Sequence, residues 1–190
     1  MRVYCATGNA GKLREFRQAL GGVVDVETVP PVPAPEETGA TFEENAVLKA
    51  LYYAQFCQGL VFAEDSGLEV DALGGAPGVY SARFAGPDAS DEDNNRLLLE
   101  KLQGVTDRRA RFVSVIALAQ GARIVAAFRG EVDGEILPAP RGENGFGYDP
   151  LFYYPPFSCA FGEASLESKM QVSHRGRALA KMVAFLPCCV

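Results

Sequence analysis

An α/β fold with a mixed β-sheet is predicted by three observations along the chain. A strand–helix–strand succession opens it, a β-rich hairpin occupies its middle, and helices close it. The opening strand is Val3 to Ala6 and its successor Val23 to Val29. Between them Gly11 to Leu20 carries Leu13, Phe16, Arg17 and Leu20 at helical spacing. Val29 to Glu37 follows, and Pro30, Pro31, Pro33 and Pro35 make it an extended arm that cannot be helix. Thr41 with Glu44 reads as a capping box ahead of a helix from Phe42 to Gln58, which Gly59 ends. Leu60 to Ala63 is a short apolar run, read as a buried strand. Ser90 caps a helix from Asp91 to Leu102.

Ala110 to Ala119 and Ile124 to Glu131 are β-rich and separated by Gly121, which predicts a hairpin. Leu151 to Tyr153 adds a further strand. Helices near Ser165 to Val172 and Ser173 to Leu186 complete the chain. With 190 residues, 48% of them hydrophobic, the chain can bury one sizeable core, and a single domain over residues 1–190 is expected.

Composition excludes several classes of function. No apolar run approaches the length of a membrane span, and Met1-Arg2-Val3-Tyr4-Cys5 reads as the start of a strand rather than as a signal sequence. A membrane partner is therefore not expected, and the cytoplasm is the expected location. The formal charge of −6 argues against a nucleic-acid polymer as partner, because a polyanion binder carries a positive footprint. Five cysteines with no C-x-x-C pair indicate neither a zinc site nor a full set of bridges; reduced thiols are expected, Cys188 and Cys189 included.

Five polar or glycine-rich segments interrupt the predicted elements. Thr7-Gly8-Asn9-Ala10-Gly11-Lys12 lies between a strand and a helix. There glycine allows close backbone approach to an oxyanion and the helix N-terminus attracts it. The Walker A spacing is absent. Glu36-Glu37-Thr38-Gly39 precedes the helix that holds Glu43, Glu44, Asn45 and Lys49, and Glu36 sits on the proline-stiffened arm.

Glu64-Asp65-Ser66-Gly67 is expected at the C-terminal end of its strand, where ligand sites of open α/β sheets gather. Adjacent carboxylates there repel unless a cation or proton intervenes, and a divalent metal with oxygen ligands is the natural occupant. Gly142 to Pro150 alternates glycine with Phe146 and Tyr148, which suits stacking on a flat base as well as covering a core edge. Ser168-Lys169 and Ser173-His174-Arg175-Gly176 hold the only histidine, and Lys169 with Arg175 supplies pure donors.

Together, Thr7 to Lys12, Glu36 to Lys49, Glu64 to Gly78, Gly145 to Pro150 and Ser173 to Gly176 resemble the inosine triphosphate pyrophosphatase family, in particular its bacterial dITP/XTP pyrophosphatase branch. The resemblance runs in order from Val3 to Leu186. It implies an elongated, twisted mixed sheet flanked by helices, with two lobes and a central substrate cleft, and a homodimer. It implies hydrolysis of deaminated purine nucleoside triphosphates (dITP, ITP, XTP, dXTP) to the monophosphate and pyrophosphate, which keeps such bases out of DNA and RNA.

By motif position, Thr7, Gly8, Asn9, Ala10, Gly11 and Lys12 would bind the triphosphate. Glu36 and Asp65 would hold Mg²⁺, with Asp65 also the proton acceptor. Lys49, Ser66 and Lys169 would contact substrate, and Phe146, Gly147, Tyr148, Asp149, His174 and Arg175 would form the base pocket. The family often has two aspartates where this chain has Glu64-Asp65. Two other readings of the same segments are a pyrophosphatase for other modified nucleotides and a module that senses purine triphosphates without turnover.

Overall fold

The computed structural model describes residues 1–186. Its strands form one seven-stranded mixed sheet in the order β2-β1-β3-β4-β5-β6-β7. They are β1 (Arg2–Ala6), β2 (Asp25–Thr28), β3 (Leu60–Val70), β4 (Arg109–Gln120), β5 (Arg123–Ile136), β6 (Phe152–Tyr154) and β7 (Cys159–Ala160). β1 pairs in parallel with β2 and β3, whereas β5/β6 and β6/β7 are antiparallel. The helices are α1 (Ala10–Leu20), α2 (Phe42–Ala54), α3 (Asp91–Lys101), α4 (Leu166–Val172) and α5 (His174–Phe185).

The α/β class and the mixed sheet are as the sequence predicts, but three boundaries differ. β3 does not stop at Ala63: it continues through Glu64, Asp65, Ser66 and Gly67 to Val70. Isolated carboxylates do not enter a buried strand, and these do so because partners remote in sequence neutralise them. α2 ends at Ala54, four residues before the expected Gln58. The β4–β5 hairpin extends to Ile136, and β7 is a strand that the sequence pattern did not announce.

The caps follow local chemistry. The Thr41 hydroxyl accepts from the Glu44 N–H at 3.1 Å, while the Glu44 carboxylate returns to the Ala40 N–H rather than to Thr41 itself. Ser90 and Asp93 form a complete reciprocal box at the start of α3.

The chain divides into two compact units. One comprises Met1–Asp65, Ser114–Gly130 and residues 174–186; the other comprises Ser66–Val113 and Glu131–Ser173. The first has its own core of Val3, Phe16, Leu20, Val61, Phe62, Ile116, Leu118, Leu179 and Met182, all at most 1% exposed. Within it Phe16 meets Phe62 edge to face at 5.2 Å. Gly130 is required there. A Cβ would be driven into the backbone of His174 and Ala178, so β5 can accept the first turn of α5 only where the strand has no side chain.

The second unit is centred on Leu68, Val70, Leu98, Leu102, Phe112, Val132, Leu151, Phe152 and Phe161. Phe152 lies 4.5 Å from Phe112 and 5.0 Å from Phe161, ring centre to ring centre. Arg108 closes this unit by donating to the carbonyls of Leu102, Ile136 and Leu137. Among the described residues no helix is long and apolar enough to cross a membrane. Cys5, Cys57 and Cys159 are free thiols, while Cys188 and Cys189 lie outside the described residues.

Candidate active site

In the first unit, β1 delivers the chain to the Thr7–Lys12 loop and α1 begins at Ala10. Asn9 caps the helix: its Oδ1 accepts from the Lys12 N–H at 3.0 Å, and its own N–H donates to Thr7 Oγ1 at 3.1 Å. Gly8, Asn9 and Ala10 are exposed, and a Cβ on Gly8 would meet nothing within 4 Å. This is an open helix N-terminus, the arrangement that attracts an anion. The Lys12 side chain turns inward, and its Nζ sits 3.0 Å from Glu64 Oε2.

Glu64 is the hub of a buried network. Its Oε1 accepts from Ser114 Oγ at 2.6 Å and from Arg175 Nε at 2.8 Å, and its Oε2 accepts from Arg175 Nη2 at 3.3 Å. Arg175 Nη1 donates to Glu15 on α1. Burial pushes the Glu64 carboxyl up, but Arg175 and then Lys12 outweigh it, so Glu64 is held well below the usual carboxylate range. Burial pulls the Arg175 guanidinium down, and Glu64 and Glu15 more than reverse this, so it stays charged. In Arg175, which the family resemblance puts in the base pocket, the ε and both η nitrogens engage two carboxylates, and the side chain is 2% exposed. His174 is likewise buried at the start of α5.

One residue further along β3, Asp65 belongs to a second cluster. Lys49 Nζ donates to Asp65 Oδ1 at 3.0 Å and to Glu37 Oε1 at 2.8 Å. Asn45, fully buried, donates to Asp65 Oδ2 at 3.2 Å and accepts the Gly39 N–H at 2.8 Å, which ties the proline arm to β3. α2 presents Asn45 and Lys49 on one face because they are four residues apart.

A single ammonium is thus shared by two carboxylates. Lys49, which burial alone would lower, is raised by Asp65 and Glu37. Asp65 ends above its ordinary value: burial dominates, Lys49 and Lys12 oppose it, and Glu37 adds repulsion. The pair of carboxylates around one lysine is left with negative charge in excess.

That excess suits a divalent cation. Mg²⁺ needs only one or two carboxylates from a protein when phosphate and water complete its shell. Among the described residues no group of three or more His, Cys, Asp and Glu side chains could hold a metal without such help. Burial alternates between half-buried and exposed from Pro35 to Ala40, as in any extended strand. Glu37 therefore faces Lys49, and Glu36, the arm residue singled out from sequence, is exposed. Glu37 and Asn45 are the functional candidates that sequence reading passed over. The alternation along the arm and the i, i+4 spacing of Asn45 and Lys49 were the signals that could have found them.

In the second unit, Asp149 and Lys169 form a buried ion pair. Lys169 Nζ donates to Asp149 Oδ2 at 2.6 Å, with both residues 2% exposed. The same oxygen accepts the Phe146 N–H at 2.9 Å, and Lys169 Nζ stands 5.1 Å from the centre of the Phe146 ring. Gly145, at φ +78°, is the only residue type tolerated there, since a Cβ would collide with the Asp149 carboxylate. Tyr148 is buried and its hydroxyl donates to the Ser81 carbonyl at 2.8 Å. Ser66 is half-buried in β3.

The Ham1 family model matches residues 3–185. The chain belongs to the Ham1 family. This Ham1-family chain is 53% identical over 184 residues to the dITP/XTP pyrophosphatase of Deinococcus deserti, covering 96% of this chain and 88% of that one. It is 52% identical to the dITP/XTP pyrophosphatase of an Exiguobacterium species, with 97% and 96% covered. Its fold superposes on the Ham1 protein of Staphylococcus aureus with a TM-score of 0.88 at 44% identity, over 100% of both chains. For a HAM1 protein from Coxiella burnetii the TM-score is 0.90 at 39% identity, over 98% of both chains.

Proposed function

We propose that this Ham1-family chain hydrolyses deaminated purine nucleoside triphosphates, such as dITP, ITP, XTP and dXTP, at the α–β phosphoanhydride. The products are the nucleoside monophosphate and pyrophosphate. The observation that carries the chemistry is the buried Asp65, set between Lys49 and Asn45 with its carboxyl above the ordinary range. Asp65 takes the proton of the water that attacks the α-phosphorus. Lys12, Lys49 and the open N-terminus of α1 hold the triphosphate and balance the charge of the leaving pyrophosphate. Most of what the protein contributes is positioning and electrostatics, as is usual in phosphoryl transfer.

Mg²⁺ is the proposed cofactor, with Asp65 and an acid of the proline arm, Glu36 or Glu37, as its protein ligands; when bound it supplies charge neutralisation and activation of water. Glu64 is outside this set, because its two oxygens are already committed to Arg175, Lys12 and Ser114.

We assign recognition of the base to Phe146, Gly147, Tyr148 and Asp149 with Lys169. A 6-oxopurine offers an acceptor at O6 and a donor at N1, and adenine offers the reverse. Lys169 can only donate and an ionised Asp149 can only accept. An adenine amino group offers Lys169 no acceptor, and a site built to hydrogen-bond its substrate rejects such a mismatch by about 10⁴–10⁵-fold. A homodimer and a cytoplasmic location are proposed on the family resemblance.

The test is pyrophosphate release from a panel of purine and pyrimidine triphosphates, with and without EDTA. Rapid, EDTA-sensitive release from dITP, ITP and XTP with little from dATP is expected. Orthophosphate as the sole product, or equal rates on dITP and dATP, would overturn the reading.

A further inference from the structure

We infer that Asp91 and Asn95, on α3, are positioning residues that set substrate selectivity by gripping the peptide of Gly147. This rests on the assignment of the 145–149 loop to base recognition.

Asp91 Oδ2 accepts the Gly147 N–H at 2.6 Å. Asn95 Nδ2 donates to the Gly147 carbonyl at 2.9 Å. Both polar groups of one loop residue are thus held by side chains 56 and 52 positions earlier in the chain. Asp91 and Asn95 are four residues apart, so they stack on the same face of α3 and reach the same peptide.

The grip matters because of what it holds. Gly145 and Gly147 both have positive φ, at +78° and +61°, and glycine pays the largest entropic cost for a fixed conformation. Left to itself such a loop samples many states. Phe146 lies between these two glycines, and Tyr148 and Asp149 follow. The angle at which the Phe146 ring and the Asp149 carboxylate are presented depends on the Gly147 peptide. Asp149 anchors the loop from within by accepting the Phe146 N–H, and Tyr148 anchors it through Ser81. Asp91 and Asn95 are further anchors, and they come from a regular helix.

α3 is built to hold still. Its first turn is fixed by the Ser90–Asp93 box, directly beside Asp91. Leu98 is fully buried in the core of this unit. Asn94, between the two gripping residues, accepts the Ala85 N–H at 2.8 Å and donates to the Ala82 carbonyl at 3.2 Å. A recognition loop carried by side chains of a rigid element is how a site keeps its geometry within the fraction of an ångström that selectivity requires.

The experiment measures kcat/KM for dITP and dATP, with melting temperatures, in Asp91→Ala, Asn95→Ala, Asp91→Asn and Asp149→Asn. Asp91→Ala and Asn95→Ala are expected to narrow the dITP/dATP ratio by about 10–100-fold, the scale on which small misplacements act. The loss falls on dITP. Asp91→Asn keeps an acceptor oxygen for the Gly147 N–H and is expected to restore most of the ratio. Asp91 is on the surface, so Asp91→Ala alone decides the matter if Asn95→Ala does not fold. If the ratio stays at the parent value in the alanine variants, or both substrates lose rate equally, the inference is overturned, provided Asp149→Asn shifts the ratio. If Asp149→Asn leaves it unchanged as well, the base-recognition assignment itself fails.

Discussion

Replacing Glu64 by glutamine removes one charge from a network of two acids and two bases. In the parent, Glu64 and Glu15 balance Arg175 and Lys12, with contacts of 2.8 Å from Arg175 Nε and 3.0 Å from Lys12 Nζ. At an effective dielectric of about 20 and these separations, each such pair contributes about 6 kcal/mol of attraction, offset by the cost of taking the charges out of water. Glutamine is isosteric and keeps an acceptor for Ser114, so packing barely changes. What remains is a buried positive charge in excess. Breaking one partner of a buried ion pair typically costs about 3–5 kcal/mol. In a chain of this length that corresponds to a fall in melting temperature of about 6–20 °C.

The effect has a definite pH dependence. Glu64 is held below the usual carboxylate range, so its contribution is complete above the unfolded value of about 4.3. It is lost as pH falls through the lower folded value. The gap between parent and Glu64→Gln should therefore be full at pH 7 and shrink as pH falls below about 4. Glu64→Asp keeps the charge and should cost less than Glu64→Gln. Differential scanning calorimetry across pH reads all of this. A shift under about 2 °C for Glu64→Gln at pH 7, the scale of a surface substitution, would refute the reasoning.

Asp65→Asn removes the proton acceptor while leaving a hydrogen-bonding side chain beside Lys49. Turnover of dITP should fall by at least about 10²–10⁴-fold with circular dichroism unchanged, and near-normal turnover would remove Asp65 from the chemistry. Asn45→Ala cuts the link between Gly39 and Asp65. It should cost about 1–3 kcal/mol by urea denaturation and reduce kcat, because Asp65 loses an orienting donor. Glu37→Gln leaves Lys49 to Asp65 alone, so titration calorimetry should show weaker Mg²⁺ binding than in the parent; if Glu36→Gln alone weakens it, Glu36 is the arm's ligand.

Local signals carried most of the fold. The caps at Thr41 and Ser90 depend on residues at most four positions away, and each is where the sequence places it. β3 runs past its apolar start at Leu60 to Ala63 because its polar middle is stabilised from far off. Glu64 meets Arg175 across 111 residues, and no window of sequence contains both. The same distance hides from the Ser-His-Arg-Gly motif that Arg175 engages Glu64 and Glu15. Lys12, Lys49 and Asp65 were legible as a set only through the order of their motifs. Glu37 and Asn45 were within reach of local reasoning, since strand alternation and helical spacing point to both. β7, at two residues, is too short to leave a pattern.

Hydrolysis of dITP in ¹⁸O-labelled water, followed by mass spectrometry of both products, tests the central claim most directly. Attack on the α-phosphorus puts the label in the nucleoside monophosphate and leaves pyrophosphate unlabelled. Label in the pyrophosphate, or an intact nucleoside diphosphate among the products, would contradict it.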